Sequence, residues 1–126
     1  MEKNNGFQFE IGYPPTGNHA VIHARGGHFL SVQARTYFAQ TWASIQQKGL
    51  SLRLTGRLRV EVLIHPPDRR RRDLDNIWKT AGDALTRAGV WLDDHQIDHL
   101  VLKRGEMMKG GDAKLKISVT VLEAPC

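Results

Sequence analysis

Cysteine is almost absent from the sequence: the single one, Cys126, is the last residue printed. A disulfide framework and a cysteine-based metal site both need several cysteines, so both are excluded, and the composition fits a reducing cytoplasm. Long apolar runs are also lacking, since none approaches the ~18 residues that a membrane-spanning helix needs. The first 13 residues are mostly polar, which argues against a signal peptide. We therefore expect a cytoplasmic protein with no membrane partner.

Acidic residues are fewer than basic ones, with 13 Asp and Glu against 18 Lys and Arg, and the net charge is +5. This excess suits a polyanionic partner, although ribosomal, membrane-surface and nuclease domains all share it. Its distribution is more informative, because eight of the eighteen basic residues lie between Arg53 and Lys79. At 126 residues, with 40% apolar and 25% charged residues, the chain is expected to form one soluble domain over residues 1–126.

The first half of the chain predicts a strand, a loop and a helix. Apolar residues alternate with polar residues or glycine over residues 7–13, which is typical of a half-buried strand. The basic, glycine-containing residues 16–29 predict a mobile surface loop, within which residues 28–32 are a candidate short strand. A helix capped by Ser31 and ending near Gly49 follows. Its apolar positions are spaced by three or four: Ala34, Phe38, Trp42 and Ile45.

The second half predicts three strands and a helix. Alternation marks strands at residues 57–64 and 114–122, and another strand is expected at residues 97–104. A turn at residues 109–112 is expected to join the last two as a hairpin. A helix over about residues 76–88, ended by Gly89, places one set of side chains on one side: Ile77, Ala81, Ala84, Leu85 and Ala88.

These elements indicate an α+β fold, with a small mixed β-sheet of about four strands covered by two helices. Three large aromatic residues are expected in its core: Trp42, Trp78 and Trp91.

Two aspartates, Asp73 and Asp75, flank a leucine in the stretch DLDN. In an extended segment such residues point to the same side, so both carboxylates can approach one ion. Hard cations such as Mg²⁺ prefer oxygen ligands, and Asp94 can add a third carboxylate if the chain returns after the helix. The alternative interpretation is helix-start chemistry, with Asp75 as the cap and Asp73 favoured by the helix dipole.

Four consecutive arginines precede this pair: Arg69, Arg70, Arg71 and Arg72. A structural cap needs no such neighbours, whereas a phosphodiester site needs phosphate-binding cations beside its metal ligands, so the run favours the metal site. An ordinary solvated loop is the alternative. Arg25, in the predicted loop, is a further candidate for contact with DNA.

Lys79 follows Asp75 by four residues, which is about one helical turn. From there it could stabilise charge on a phosphate or orient the attacking water. The alternative is an exposed ion pair with Asp83, four residues further on. His95 and His99 also stand four apart, a spacing that can bind zinc, although surface histidines are the competing interpretation.

The sequences PDRRRRDLDN and AGVWLDD, with the lysine-bearing helix between them, resemble the RusA family of Holliday junction resolvases. The resemblance runs from residues 14–15 to the turn at residues 109–111 and is most specific over residues 67–94. It implies that Asp73, Asp75 and Asp94 form a Mg²⁺ site, where Mn²⁺ can substitute, and that Lys79 is functional. It also implies a homodimer that nicks four-way DNA junctions symmetrically. Family members are commonly encoded by phages or prophages, so a bacterial host cytoplasm is expected.

Departures from the family pattern lie at residues 16–29 and at His95 and His99, which leaves the junction contacts open. The leading hypothesis is a Mg²⁺-dependent, structure-selective endodeoxyribonuclease. One alternative is a non-catalytic module that binds branched DNA and whose acidic cluster is structural. Another is a metal-dependent nuclease with a broader preference for branched DNA.

Overall fold

The fold is a mixed β-sheet with two helices packed on one face, and the computed structural model describes residues 6–15, 21–24 and 27–122. This architecture confirms the predicted α+β class. Two short 3-10 turns, Asp94–Gln96 and Gly110–Asp112, interrupt the connections. The helices are α1 (Val32–Gln47) and α2 (Leu74–Ala88). The strands are β1 (Gly6–Gly12), β2 (Val21–Ala24), β3 (Gly27–Leu30), β4 (Leu58–His65), β5 (Ile97–Arg104) and β6 (Lys114–Val121).

The main sheet has the strand order β1-β6-β4-β5. β4 and β5 are parallel, and α2 connects them, because a parallel pair needs a crossover between its strands. β6 runs antiparallel to both β4 and β1. The predicted hairpin between the last two strands is therefore wrong, since β4 separates β5 from β6. β4 buries alternate residues and takes a central place, whereas β5 is exposed over much of its length and forms an edge.

The core lies between the sheet and the inner faces of the two helices. All five residues predicted to share one side of α2 are buried, and Trp91 is buried with them. The helix begins at Leu74, two residues earlier than expected, and ends as predicted at Gly89. Gly89 has φ +87°, and a Cβ there would lie 2.5 Å from Oγ of Ser51. Both its backbone conformation and its surroundings therefore favour glycine.

Helix α1 begins at its predicted cap but buries a different face from the expected one. Oγ of Ser31 accepts a hydrogen bond from the backbone N–H of Ala34 at 3.0 Å. Trp42 is 53% exposed, so its predicted place in the core is wrong. Tyr37 is buried instead, and its hydroxyl donates to the carbonyl oxygen of Gly12 at 2.7 Å, which satisfies its polar group. The buried positions are Ala34, Tyr37, Thr41 and Ile45.

The sequence predicts a loop over residues 16–29 with a candidate short strand at residues 28–32; β3 confirms a strand there, and its pairing with β2 forms an unpredicted two-stranded antiparallel sheet. In it β2 pairs with β3, so that Val21 lies opposite Leu30 and Ile22 opposite Phe29. Apolar and β-branched residues of this kind favour strands, which explains the difference. Within the described ranges, no helix has the length and apolar character needed to cross a membrane.

The C-terminal ends of three strands lie together at one end of the main sheet. Gly12 and His65 each lie beside Lys114 in neighbouring strands, and Ile64 lies beside Arg104. The ends of β1, β4 and β5 therefore lie together with the start of β6. The chain leaves β4 at this end of the sheet and enters α2 after residues 66–73, which places the first turn of α2 nearby.

Candidate active site

A cleft of about 530 Å³ lies where the chain passes from β4 towards α2. The segment after β5 is held against this passage by two backbone hydrogen bonds. Gly105 donates to the carbonyl oxygen of Ile64 at 2.7 Å, and Met108 donates to that of Pro66 at 2.8 Å. The cleft therefore lies at the end of the sheet where β4 and β5 finish, directly before the helix that carries Asp75. Its lining residues are Pro66, Asp68, Arg69, Arg70, Arg71, Arg72, Arg104, Gly105 and Met107.

Asp73 and Asp75 flank the first residue of α2. Asp73 holds the N-cap position with an extended backbone, yet its side chain makes no capping hydrogen bond. Asp75 lies in the first turn, where its Oδ1 accepts from the backbone N–H of Asn76 at 3.0 Å. The predicted cap at Asp75 is therefore wrong, and the extended geometry expected for the pair ends at Asp73. Both side chains are exposed, so both carboxylates can be reached from solvent.

Lys79 lies one turn beyond Asp75 on the same side of α2, and its side chain is exposed. The alternative ion pair with Asp83 is not formed, because Asp83 is 3.2 Å from Nε of Arg87 instead. Among the residues that the structure describes, Lys79 has no carboxylate within 4.0 Å. Its ammonium group is therefore available to a ligand near the start of the helix.

The four arginines before α2 differ in what they contact. The side chain of Arg72 is only 10% exposed, and its guanidinium donates two hydrogen bonds to the carboxylate of Asp68. Arg69 and Arg71 are exposed, and the side chain of Arg70 is 80% exposed. Hydrogen bonds from the Arg72 side chain and the Arg70 backbone lower the pKa of Asp68 to about 2. Asp68 is therefore ionised at neutral pH, and its pair with Arg72 is charged.

Two further residues hold Arg72 in place. Its guanidinium carbon lies 5.8 Å from the ring centroid of Tyr13, within the range of a cation–π contact. Nη2 of Arg104 donates to the backbone carbonyl oxygen of Arg72 at 2.9 Å. Burial raises the pKa of Tyr13, so its ring remains neutral at physiological pH. These contacts fix the residue that immediately precedes Asp73.

The acidic pair after α2 has two members in different environments. Asp93 caps the turn Asp94–Gln96, since its Oδ1 accepts from the backbone N–H of His95 at 3.0 Å. This hydrogen bond lowers the pKa of Asp93. A hydrogen bond with Asp93, then burial and the charges of Asp93 and Asp83, raise the pKa of Asp94. Asp93 therefore has a structural task, which gives a physical reason to distinguish it from Asp94.

The buried side chain of Gln96 holds this acidic turn in place by hydrogen bonds. Its Oε1 accepts from the backbone N–H groups of Leu92 and Asp93, at 2.9 and 2.8 Å. Its Nε2 donates to the carbonyl oxygens of Leu54 and Gly56, both at 2.8 Å. One buried side chain thus ties the turn to the segment before β4. Sequence reasoning missed it, although aspartate followed three residues later by glutamine is the pattern of a capping box.

Asp94 begins the turn Asp94–Gln96, which the chain reaches after α2 has ended at Ala88. The charge of Asp83, in the second half of α2, contributes to the raised pKa of Asp94. Within residues 6–15, 21–24 and 27–122, no three His, Cys, Asp or Glu side chains lie together as potential ligands of one metal ion. Asp73, Asp75 and Asp94 therefore do not form one cluster of ligands within a single chain.

His95 and His99 are both exposed, in keeping with surface histidines. Nδ1 of His95 is 3.4 Å from the carboxylate of Asp93, while His99 lies in β5 beside Arg59. The spacing that suggested zinc does not gather a third ligand among the described side chains.

Sequence reasoning missed the residues that surround Arg72. Asp68 precedes Arg72 by four residues, a spacing that pairs opposite charges in helices, but this segment is not helical. Tyr13 and Arg104 come from distant parts of the chain and carry no local signal. Arg25, predicted to contact DNA, lies outside the described residues.

Comparison with known proteins gives consistent matches along almost the whole chain. Residues 12–121 match the family described as Endodeoxyribonuclease RusA. The chain is 38% identical over 115 residues to the crossover junction endodeoxyribonuclease RusA of Escherichia coli strain K12, covering 90% of this chain and 95% of that protein. The protein of that name from Shigella sonnei strain Ss046 gives the same identity and coverage. That of Enterobacteria phage 82 is 37% identical, again over 90% of this chain and 95% of the relative.

Proposed function

Because the chain belongs to the endodeoxyribonuclease RusA family, we propose that it resolves four-way DNA junctions by paired, symmetric nicks. The main supporting observation is the start of α2, where two exposed carboxylates, Asp73 and Asp75, follow a run of arginines. Relatives named crossover junction endodeoxyribonucleases align over 90% of this chain, which supports transfer of the activity. The proposed setting is the cytoplasm of a bacterial host, and the phage 82 relative supports a phage or prophage origin.

The exposed arginines are the proposed contacts to the DNA backbone. Arg69, Arg70 and Arg71 extend towards solvent at the cleft before α2. Arginine and phosphate oxygens form strong, charge-assisted hydrogen bonds, and contacts of this kind set the register of a protein on DNA. Arg25 remains a proposed contact on the grounds of its basic surroundings in the sequence. These residues would hold the scissile phosphate near Asp73 and Asp75.

Asp73, Asp75 and Asp94 are the proposed ligands of Mg²⁺, and Mn²⁺ is expected to substitute. The fit rests on donor chemistry: all three side chains are exposed carboxylates, and that of Asp73 is not used as a helix cap. Hard divalent cations prefer oxygen ligands and usually keep several waters and phosphate oxygens. When bound, Mg²⁺ supplies Lewis-acid chemistry, which activates a water molecule for attack and stabilises charge on the phosphate.

Lys79 is proposed to act on the same phosphate. Its ammonium group lies one helical turn beyond Asp75 and has no carboxylate partner among the described residues, since Asp83 pairs with Arg87. A cation held there stabilises negative charge as it develops on the phosphate oxygens. Lys79 and Asp75 lie on the same side of one helix, so both side chains can reach a phosphate near its start.

A second copy of the chain is proposed to complete each site. Asp73, Asp75 and Asp94 do not gather as potential ligands of one ion within the described part of a single chain, whereas Mg²⁺ needs its ligands at about 2.1 Å. In a twofold-symmetric dimer, Asp94 of one copy can approach Asp73 and Asp75 of the other, and two equivalent sites result. Two sites related by a twofold axis match the two symmetric strands that must be cut to resolve a four-way junction.

The first experiment incubates the full chain with a mobile four-way junction, with and without Mg²⁺. We expect paired nicks at symmetric positions only when the metal is present. A linear duplex of the same sequence and a three-way flap are the control substrates. Equal cutting of the flap would favour the broader branched-DNA nuclease, while binding without cutting would favour the non-catalytic module.

The second experiment tests the shared site with two variants. Asp75→Asn and Asp94→Asn are each expected to abolish cutting while retaining junction binding, because each removes a ligand charge and leaves the arginines. Mixing the two after unfolding and refolding yields heterodimers in which one site has all three aspartates. Recovery of single-strand nicking in the mixture supports a site shared between chains, whereas no recovery contradicts it.

A further inference from the structure

The carboxylate of Asp68 holds the segment between β4 and α2 by three hydrogen bonds. Two come from the guanidinium of Arg72, one of them 3.1 Å between Nη2 and Oδ2. The third comes from the backbone N–H of Arg70, at 2.9 Å to Oδ1. Residues 68–72 therefore form a short loop closed by hydrogen bonds to the Asp68 carboxylate, and the exposed residues Arg69 and Arg71 extend from that loop.

Arg72 makes two further contacts. Its guanidinium lies over the ring of Tyr13, and its backbone carbonyl oxygen accepts from Arg104. A guanidinium that already makes a two-bond pair with a carboxylate cannot make the same pair with a phosphate unless the first one breaks. Arg72 thus differs from its neighbours: it is nine-tenths buried and committed to the protein.

From these contacts we propose that Asp68 is a positioning residue for the cleavage site. By holding Arg72 against Tyr13, it sets the conformation of the loop that presents Arg69 and Arg71, and it fixes the backbone that leads into Asp73. The phosphate contacts and the first metal ligands then share one rigid support. This inference rests on the proposed junction cleavage. It deepens that proposal by naming the residues that align the phosphate contacts with the first metal ligands.

The competing interpretation is that Arg72 is itself a phosphate contact and that Asp68 only holds it until DNA arrives. The two differ in what removal of the Asp68 charge does. If Arg72 binds phosphate, releasing it strengthens junction binding and preserves cutting. If Asp68 positions the loop, releasing Arg72 lets Asp73 move, and cutting falls although the net positive charge has risen.

The chain contains a matched control for this pair. Asp83 and Arg87 are also four residues apart, with Nε of Arg87 3.2 Å from the carboxylate. The guanidinium of Arg87 lies over an aromatic ring as well, 4.5 Å from the centroid of Phe38. This second pair lies near the far end of α2, so it reproduces the chemistry of the first without its location.

The experiment compares Asp68→Asn, Arg72→Lys and the control Arg87→Lys. It measures kcat for cutting at saturating junction, junction affinity without divalent metal, and amide hydrogen exchange over residues 73–77. For Asp68→Asn and Arg72→Lys we expect kcat to fall by about 10- to 100-fold, since a shift of about 1 Å in a reacting group can cost that much. Junction affinity is expected not to rise, because the loop that presents Arg69 and Arg71 is loosened, and hydrogen exchange over residues 73–77 is expected to accelerate.

Arg87→Lys is expected to leave all three measurements unchanged. A purely structural role for Asp68 would lower the fraction of folded protein but not kcat per folded molecule, so an unchanged kcat with a lowered melting temperature overturns the inference. Tighter junction binding with wild-type kcat in Asp68→Asn overturns it too, in favour of Arg72 as a phosphate contact. Arg72→Lys keeps the charge and serves as the second variant if Asp68→Asn does not fold.

Failure of the proposed function has a separate signature. If the wild-type chain does not cut junctions, the function is wrong, but hydrogen exchange still reports on the loop. Unaltered exchange over residues 73–77 in both Asp68→Asn and Arg72→Lys then contradicts the positioning role independently of activity.

Discussion

Asp93 accepts a hydrogen bond from the backbone N–H of His95, at 3.0 Å between Oδ1 and N, and so serves as the cap of the turn that carries Asp94. Two adjacent aspartates therefore have separate tasks: one shapes the turn, and the other is presented by it. An asparagine side chain also has an oxygen that can accept a hydrogen bond, so the task of Asp93 does not require its charge.

Replacing Asp94 by Asn is expected to reduce junction cutting by at least about 100-fold, the scale on which losing one group that stabilises transition-state charge is felt. Asp93→Asn is its matched control and is expected to cut at close to the wild-type rate, because the amide oxygen keeps the cap. Single-turnover cleavage measures both. Equal loss in the two variants would show that Asp93 takes part in the reaction as well.

Salt dependence separates the exposed arginines from other surface charges. Each phosphate contact that is removed lowers the slope of log K against log salt by about one, so Arg69→Ala and Arg71→Ala are each expected to show that decrease between about 50 and about 200 mM salt. Arg59→Ala is the control, because Arg59 lies near the start of β4, at the other end of the strand from the cleft. A similar decrease in slope for Arg59→Ala would contradict a localised contact surface.

The buried amide of Gln96 is expected to matter for stability. Gln96→Ala removes four hydrogen bonds to the main chain and leaves buried polar groups without partners, so we expect the free energy of unfolding to fall by about 2–4 kcal/mol. Gln46 is the control, since it is exposed and makes one hydrogen bond, to the carbonyl oxygen of Ala88 at 3.1 Å. Gln46→Ala is expected to cost about 1 kcal/mol or less. Urea unfolding measures both, and equal losses would contradict the anchoring role of Gln96.

Acid is expected to remove the contribution of Asp68 to stability. The pKa of Asp68 is lowered to about 2 in the folded chain by its hydrogen bonds with Arg72 and Arg70, so protons bind the unfolded chain more readily. The stabilisation is therefore fully present well above pH 4 and is lost as the pH falls from about 4 to about 2. The difference in the free energy of unfolding between wild type and Asp68→Asn is expected to shrink over that window. A difference that persists at pH 2 would show that the ionised carboxylate is not its source.

Local features of the fold could be predicted from the sequence where periodicity or composition decides them. β4 and β6 lie within one residue of the strands that alternation predicts at residues 57–64 and 114–122, and the buried face of α2 has the expected members, because alternating and helical spacings are properties of neighbouring residues. The face of α1 could not be predicted in this way. The spacing of strictly apolar residues places Trp42 on the buried face, whereas the structure buries Tyr37 and Thr41 there. Both carry a hydroxyl group, so a pattern of strictly apolar residues leaves them out.

Long-range features were beyond the sequence for a different reason. The order of strands depends on which edge of β4 each later strand occupies, and nothing near residues 109–112 records that choice. The same holds for the site. The arginine run reads as uniform in the sequence, but contacts from Tyr13 and Arg104 make Arg72 unlike the others. Spacing in the sequence does not distinguish Asp94 from Asp93. The structure does, because Asp93 accepts the capping hydrogen bond of the turn.

Helix α2 has a fixed length that acts as a ruler between the proposed ligands. One residue inserted into the helix would rotate everything after it by about 100° and shift it by about 1.5 Å, which would turn Asp94 away from its present direction relative to Asp75. Insertions and deletions among active relatives are therefore expected to avoid the interval between Asp75 and Asp94.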